Sequence, residues 1–193
     1  ATFVSSSYAR SATPSTSKKD SAQERATEKR TQIMEKIEMK QEKIASKSAI
    51  LQEKLKTFKD RRKATAAARV SDRLNQINSR KNQQLSRHLT KLSEILGRLD
   101  RRVDQAGQAG KETASVKTAI AAAEVKITSA SAALQNQTQL DYTLNISSEG
   151  GVRADTKASR DKLHTDLKEI RRLVIDAKQA VANAIRVAAT TLG

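Results

Sequence analysis

The residue types able to do metal or acid–base chemistry are thinly spread in this chain. It has two histidines, His88 and His164, and no cysteine. A zinc site needs three or four ligands converging from His, Cys or carboxylates. No His-x-x-x-His or Glu-x-x-His pair occurs, and the two imidazoles fall in separate segments, each beside leucines that a helix would bury. They are expected at the edge of a core or on its surface. Gly107-Gln108-Ala109-Gly110 is too short for a phosphate loop, and no Lys-Ser/Thr follows it. Serine-nucleophile motifs are absent. Carboxylates are plentiful, but they lie along polar faces with no apolar pocket in the pattern to raise a pKa. The expectation is a non-enzymatic protein, with no catalytic residue, cofactor, metal or small-molecule substrate.

What the chain carries in excess is positive charge. Its 37 Lys and Arg against 21 Asp and Glu leave a net charge of +16. Such an excess attracts polyanions: nucleic acid, anionic lipid or an acidic wall polymer. A solvated, Lys/Arg-rich helical surface would have the same composition. The candidate polyanion-binding residues are Lys56, Lys59, Arg61, Arg62 and Lys63, then Arg101 and Arg102, then Arg171 and Arg172. Asp60 sits inside the first cluster. Aromatic residues are only 2% of the chain, which leaves no platform on which single-stranded bases would stack. Without a recognition-helix motif, contact with the phosphate backbone is all the pattern supports.

Helices must position these groups. Leu85, Leu89, Leu92, Leu96, Leu99, Val103 and Ala106 follow a 4-3 rhythm that places them on one face of a helix. Val116, Ile120, Ala123, Ile127, Ala130 and Leu134 repeat it, among small Ala and Ser neighbours. Leu163, Leu167, Ile170, Val174, Ala177, Val181, Ala184 and Ala188 continue it again. Three matched apolar faces must bury one another. The fold class is therefore all-α, with a long N-terminal helix running into an antiparallel three-helix bundle. Gly107 is expected to cap the first bundle helix in a left-handed conformation.

Upstream, residues 1–20 are rich in Ser, Thr and Ala around Pro14 and read as a flexible tail. A helix should start near Ser21, where Ser21 and Glu24 match a capping box. Ile33, Ile44 and Leu55 recur every eleven residues, the repeat of a nearly straight helix. No Gly, Pro or Asn interrupts residues 56–74, so one helix over 21–106 is expected. The alternative is two helices with a kink or turn near 60–66. Residues 21–65 form a stalk in this reading, with unused faces for a protein partner or self-association, and 66–193 form the bundle. Between 136 and 149 the pattern changes. Tyr142, Leu144 and Ile146 alternate with polar residues, and an extended loop covering the bundle end is expected.

The segments RLNQINSRKNQQLSRHLTKLSEILGRLDRRV, AIAAAEVKITSASAAL with QLDYTLNISSE, and DKLHTDLKEIRRLVIDAKQAVANAIRVA together resemble uncharacterised exported, coiled-coil-like helical proteins of small-genome bacteria. The likeness spans roughly residues 20–190, judged by matching helix patterns. It implies export and a non-enzymatic role at the cell envelope, and it brings no catalytic residues with it. The first residue, Ala1, agrees with removal of a secretory signal or with a trimmed start. A cytoplasmic location is the alternative. The resulting expectation is a structural or adaptor helical protein with weak attachment to anionic polymers. The competing expectation is a sequence-nonspecific, basic nucleic-acid-binding protein.

Overall fold

The computed structural model describes residue 35 and residues 38–193. The expected tail over 1–20 and the helix start at Ser21 lie outside the described residues. The chain divides into two compact units, Ala1–Glu42 and Lys43–Gly193. In the first, residues 38–42 are helical. The second is an all-α bundle, with no strand among its residues. We name its helices α1 (residues 43–56), α2 (Arg61–Gln108), α3 (Ala114–Thr138) and α4 (Val152–Leu192).

The expected continuity through 56–74 does not hold: the helix breaks at residues 57–60. Three things stop it. Thr57 and Phe58 donate their N–H groups to the carbonyls of Lys54 and Leu55, tightening the last turn. Asp60 then takes an extended conformation (φ −87°, ψ 99°), and its carboxylate accepts from the N–H groups of Arg62 (2.9 Å) and Lys63 (3.2 Å) as an N-cap. Finally, the Glu149 carboxylate accepts from the N–H groups of Lys59 (3.0 Å) and Asp60 (2.9 Å). The chain reverses there, and α1 folds back along α2. Leu51, Leu55 and Phe58 are buried with Ala64, Ala67 and Leu74 of α2, so this part of the expected stalk belongs to a core.

The other end of α2 also differs from expectation. Gly107 is helical, and Gly110 is the residue with positive φ (80°). Lys111 N–H reaches the Ala106 carbonyl (3.0 Å) and Gly110 N–H the Gly107 carbonyl (3.0 Å), the paired bonds of a Schellman ending about one turn later.

α2, α3 and α4 pack against one another. Lys117 pairs with Asp104 (3.1 Å) across the α2–α3 link, and Ser115 meets Thr191 (3.4 Å), so α3 runs antiparallel to both neighbours. α2 and α4 therefore run parallel. One core joins Leu89, Leu96 and Val103 to the stripes of α3 and α4. A second core joins α1 and the first half of α2 to Leu163 of α4 and to Tyr142, Leu144 and Ile146.

Those last three residues lie in the segment between α3 and α4. Its backbone is served by side chains of α2 instead of a neighbouring strand. Asn75 Oδ1 accepts from Tyr142 N–H (2.9 Å), Asn75 Nδ2 donates to the Thr143 hydroxyl (3.1 Å), and Ser71 Oγ accepts from Leu144 N–H (3.2 Å). Ser147 N–H and hydroxyl both donate to Asp155 near the start of α4.

Candidate functional site

The described surface holds a groove of about 1030 Å³ between the parallel helices α2 and α4. Its floor is apolar: Leu74, Leu85 and Leu92 from α2 face Leu163, Leu167 and Val174 from α4. All six belong to the stripes that build the two cores or pack against them. α3 and the α1 hairpin cover the inner sides of α2 and α4, and among the described residues nothing covers the outer side between those two helices.

The walls are cationic. Lys81 and Lys91 stand on α2, and Arg160, Lys168, Arg171 and Lys178 stand on α4. Among the described residues no Asp or Glu lines the groove. Lys81 bonds Gln84 (3.3 Å) and Arg160 pairs with the adjacent Asp161 (3.0 Å). Among the described residues no ion pair ties Lys91, Lys168, Arg171 or Lys178 to a carboxylate. Both histidines come to this groove, His88 on one wall and His164 on the other, each exposed.

The spacing explains the assembly. Ile77, Lys81, Gln84, His88 and Lys91 form a 4-3-4-3 stripe on α2. Arg160, His164, Lys168, Arg171, Ile175 and Lys178 form a matching stripe on α4. Each lies next to a buried stripe, so packing the cores aligns the two cationic rows automatically.

The residues proposed from sequence are distributed otherwise. Arg171 lines the groove; Arg172 is exposed outside it. Arg101 and Arg102 are exposed near the far end of α2. In the first cluster, Lys56 pairs with Glu53 (2.6 Å), Lys63 lies 3.8 Å from Asp60, and Arg61 donates to the Lys56 carbonyl (3.2 Å). Lys59 and Arg62 are exposed there, and Glu149 sits against the same turn. The cluster is thus a helix junction with its own counter-charges. Local density in sequence points to it, whereas the groove draws its cations from residues three and four apart on two helices.

A second polar constellation lies inside the fold. Gln137 Nε2 donates to Asn78 Oδ1 (3.0 Å) and to the Tyr142 hydroxyl (2.8 Å), and that hydroxyl donates to Asp166 (2.6 Å). Lys162 pairs with Asp166 (2.8 Å) and stands 5.9 Å from the centre of the Tyr142 ring, within cation–π reach. Burial and then the Asp166 carboxylate push the Tyr142 phenol above its usual range, against the opposing bond from Gln137. Burial raises Asp166 too, but Lys162 and Tyr142 outweigh it and hold the carboxyl below its usual value. Tyr142 is 3% exposed, so its ring and phenol lie inside the fold. Asp141 has the same balance: burial raises it, while the Thr143 hydroxyl and N–H and then Lys47 (2.9 Å) hold it low. These groups fasten the segment after α3.

Among the described residues no three His, Asp or Glu side chains are grouped closely enough to hold a metal ion, and no helix is long and apolar enough to cross a membrane. No family model, curated protein or solved structure matches the chain.

Proposed function

We propose that the protein is a non-enzymatic helical adaptor that acts at the cell envelope after export and attaches to anionic partners through the α2/α4 groove. The observation that carries this reading is the groove's composition: an apolar floor between two walls on which, among the described residues, the charged side chains are all cations. An anionic partner would neutralise the walls while covering the floor, which supplies both steering and burial. The resemblance to exported helical proteins supports the envelope location. Within residues 21–65, the described side chains other than the buried Leu51, Leu55, Phe58 and Ala64 remain a candidate surface for a protein partner or self-association.

Attachment is tested by titrating the full chain with polyglutamate, a model of an acidic polymer, across a salt series. Saturable binding at low salt that weakens as salt rises is expected, and should be lost when Lys168 and Arg171 are both changed to Glu. Binding unaffected by that double change would remove the groove from the reading. Location is tested by fractionating the native cells; recovery with cytoplasmic markers alone would favour the cytoplasmic alternative.

The competing reading, sequence-nonspecific nucleic-acid binding, draws on the +16 charge and on the cations at 56–63. On duplex DNA its log–log salt slope would be about 0.9 per phosphate neutralised. Neutralising Arg61, Arg62 and Lys63 together should flatten that slope if the cluster carries the contact.

A further inference from the structure

We infer that the groove's occupant is an acidic amphipathic helix of a partner protein, docked lengthwise between α2 and α4. This deepens, and rests on, the anionic-attachment reading. Three observations select a helix from among anionic partners. The first is length. The lining runs from Leu74 to Leu92 on α2 and from Arg160 to Lys178 on α4. At ~1.5 Å per residue each wall is about 27 Å long, the length of roughly 18 helical residues. The second is shape. Two parallel helices present ridges on either side of an apolar furrow, the surface into which the apolar stripe of another helix packs.

The third observation is where the charges lie. Cations flank the floor along the whole α4 wall, from Arg160 to Lys178, and along the half of the α2 wall from Lys81 to Lys91. A lipid with one anionic head would need its cations gathered at one end of an apolar pocket. A helix with Leu on one face and Glu beside it on both flanks would meet floor and walls together, as flanking charges do in coiled coils. Single-stranded nucleic acid is held best by large stacking platforms for its bases, and among the described residues no Phe, Tyr or Trp lines the groove. A second copy of this chain brings another +16 charge and is disfavoured electrostatically. Ile175, 42% exposed on the α4 wall, is an apolar side chain that such a helix would cover.

The test uses the full chain and two peptides of about 18 residues, matched to the groove length. They share one composition of Leu, Ala and Glu and the same net charge. In the first, Leu recurs at i, i+3, i+4 and i+7 with Glu flanking; in the second, the order is permuted so that no apolar face forms. Binding is read by fluorescence anisotropy, and seating by changes in the isoleucine methyl resonances. We expect one-to-one binding of the amphipathic peptide, a shift of the Ile175 methyl signal, and binding of the permuted peptide weaker by roughly tenfold or more. The Lys168→Glu, Arg171→Glu double variant should weaken the first peptide by a similar factor, because two attractions become repulsions at exposed sites. Both positions are exposed, and circular dichroism checks that the variant stays folded. The permuted peptide requires no change in the protein, so the helix claim is tested even if a variant fails.

Equal binding of the two peptides would overturn the helix inference and leave anionic attachment standing. Binding of duplex DNA or phosphatidylglycerol vesicles, with neither peptide bound, would overturn it in favour of that other partner. Failure of both peptides, polyglutamate, DNA and vesicles at low salt would remove the inference and the proposed function together.

Discussion

Asn75 shows how much one side chain organises here. Its amide oxygen takes Tyr142 N–H, and its amide nitrogen reaches the Thr143 hydroxyl and Asp141 (3.4 Å). Removing it leaves a partly buried backbone N–H without a partner, a loss of about 1–3 kcal/mol. Asn75→Ala should lower unfolding stability by about that amount in urea denaturation, whereas Arg73→Ala, at an exposed neighbour, should change it little. Protonation gives a second check at this scale. The Asp141 carboxyl sits below its usual value in the folded chain, because its bonds to Thr143 and Lys47 outweigh burial. Its contribution to stability is therefore present above the unfolded pKa near 3.8 and is lost as pH falls through the lower folded value. Wild type should lose stability as acid takes it below about pH 4, more steeply than Asp141→Asn does in parallel acid titrations. Equal slopes would show that Asp141 is not coupled to folding.

At the scale of elements, the α1–α2 junction is held by Asp60 from within and by Glu149 from the far side of the fold. Asp60→Ala should cost about 1 kcal/mol in urea denaturation, the usual loss for an N-cap. A loss near zero would mean that the turn is set by Phe58 and Glu149 alone. The polar layer between the two cores makes the opposite prediction. Asn82 donates to Asn78 Oδ1 (3.1 Å), but its own buried Oδ1 has no partner among the described residues. Asn78 Oδ1 would still accept from Gln137 after Asn82 is replaced. Asn82→Leu removes an unsatisfied acceptor and adds apolar contact, and should stabilise by about 1 kcal/mol. A loss of stability would show that the amide sets the spacing of the layer.

Across the whole 43–193 unit, two cores meet at this polar layer. The one formed by α2, α3 and α4 is continuous and helical, while the other depends on α1 and the extended segment 139–151. The second has fewer repeating helix bonds and relies on side-chain ties at Asn75, Ser71 and Glu149. Native-state hydrogen exchange should therefore show residues 43–60 and 139–151 opening together, at lower free energy than residues 116–134 and 170–184. Equal protection throughout would mean one cooperative core.

Much of this unit is legible in the residues themselves. The stripe from Val116 to Leu134 is the apolar set that α3 buries, and Leu163, Ile170, Val174, Ala177, Val181, Ala184 and Ala188 are buried in α4. Periodicity suffices there because each helix repeats its side-chain direction every three to four residues, whatever it packs against. The alternation of Tyr142, Leu144 and Ile146 likewise matches three buried positions of the extended segment. The place of the break, 57–60 and not the 60–66 given as the alternative, is hidden in the sequence, because the acceptor for Lys59 and Asp60 N–H is Glu149, about ninety residues away, and no glycine or proline marks the turn. Asp60 is the one local signal, and inside a basic cluster an N-cap aspartate looks the same as a stray counter-charge. The groove is hidden for a related reason. Its cations are single residues on separate helices, and only the parallel packing of α2 against α4 brings them into facing rows. Sequence alone determines which face of each helix turns inward; which outward faces become neighbours is decided when the cores close, because burial is local to a helix while juxtaposition belongs to the fold.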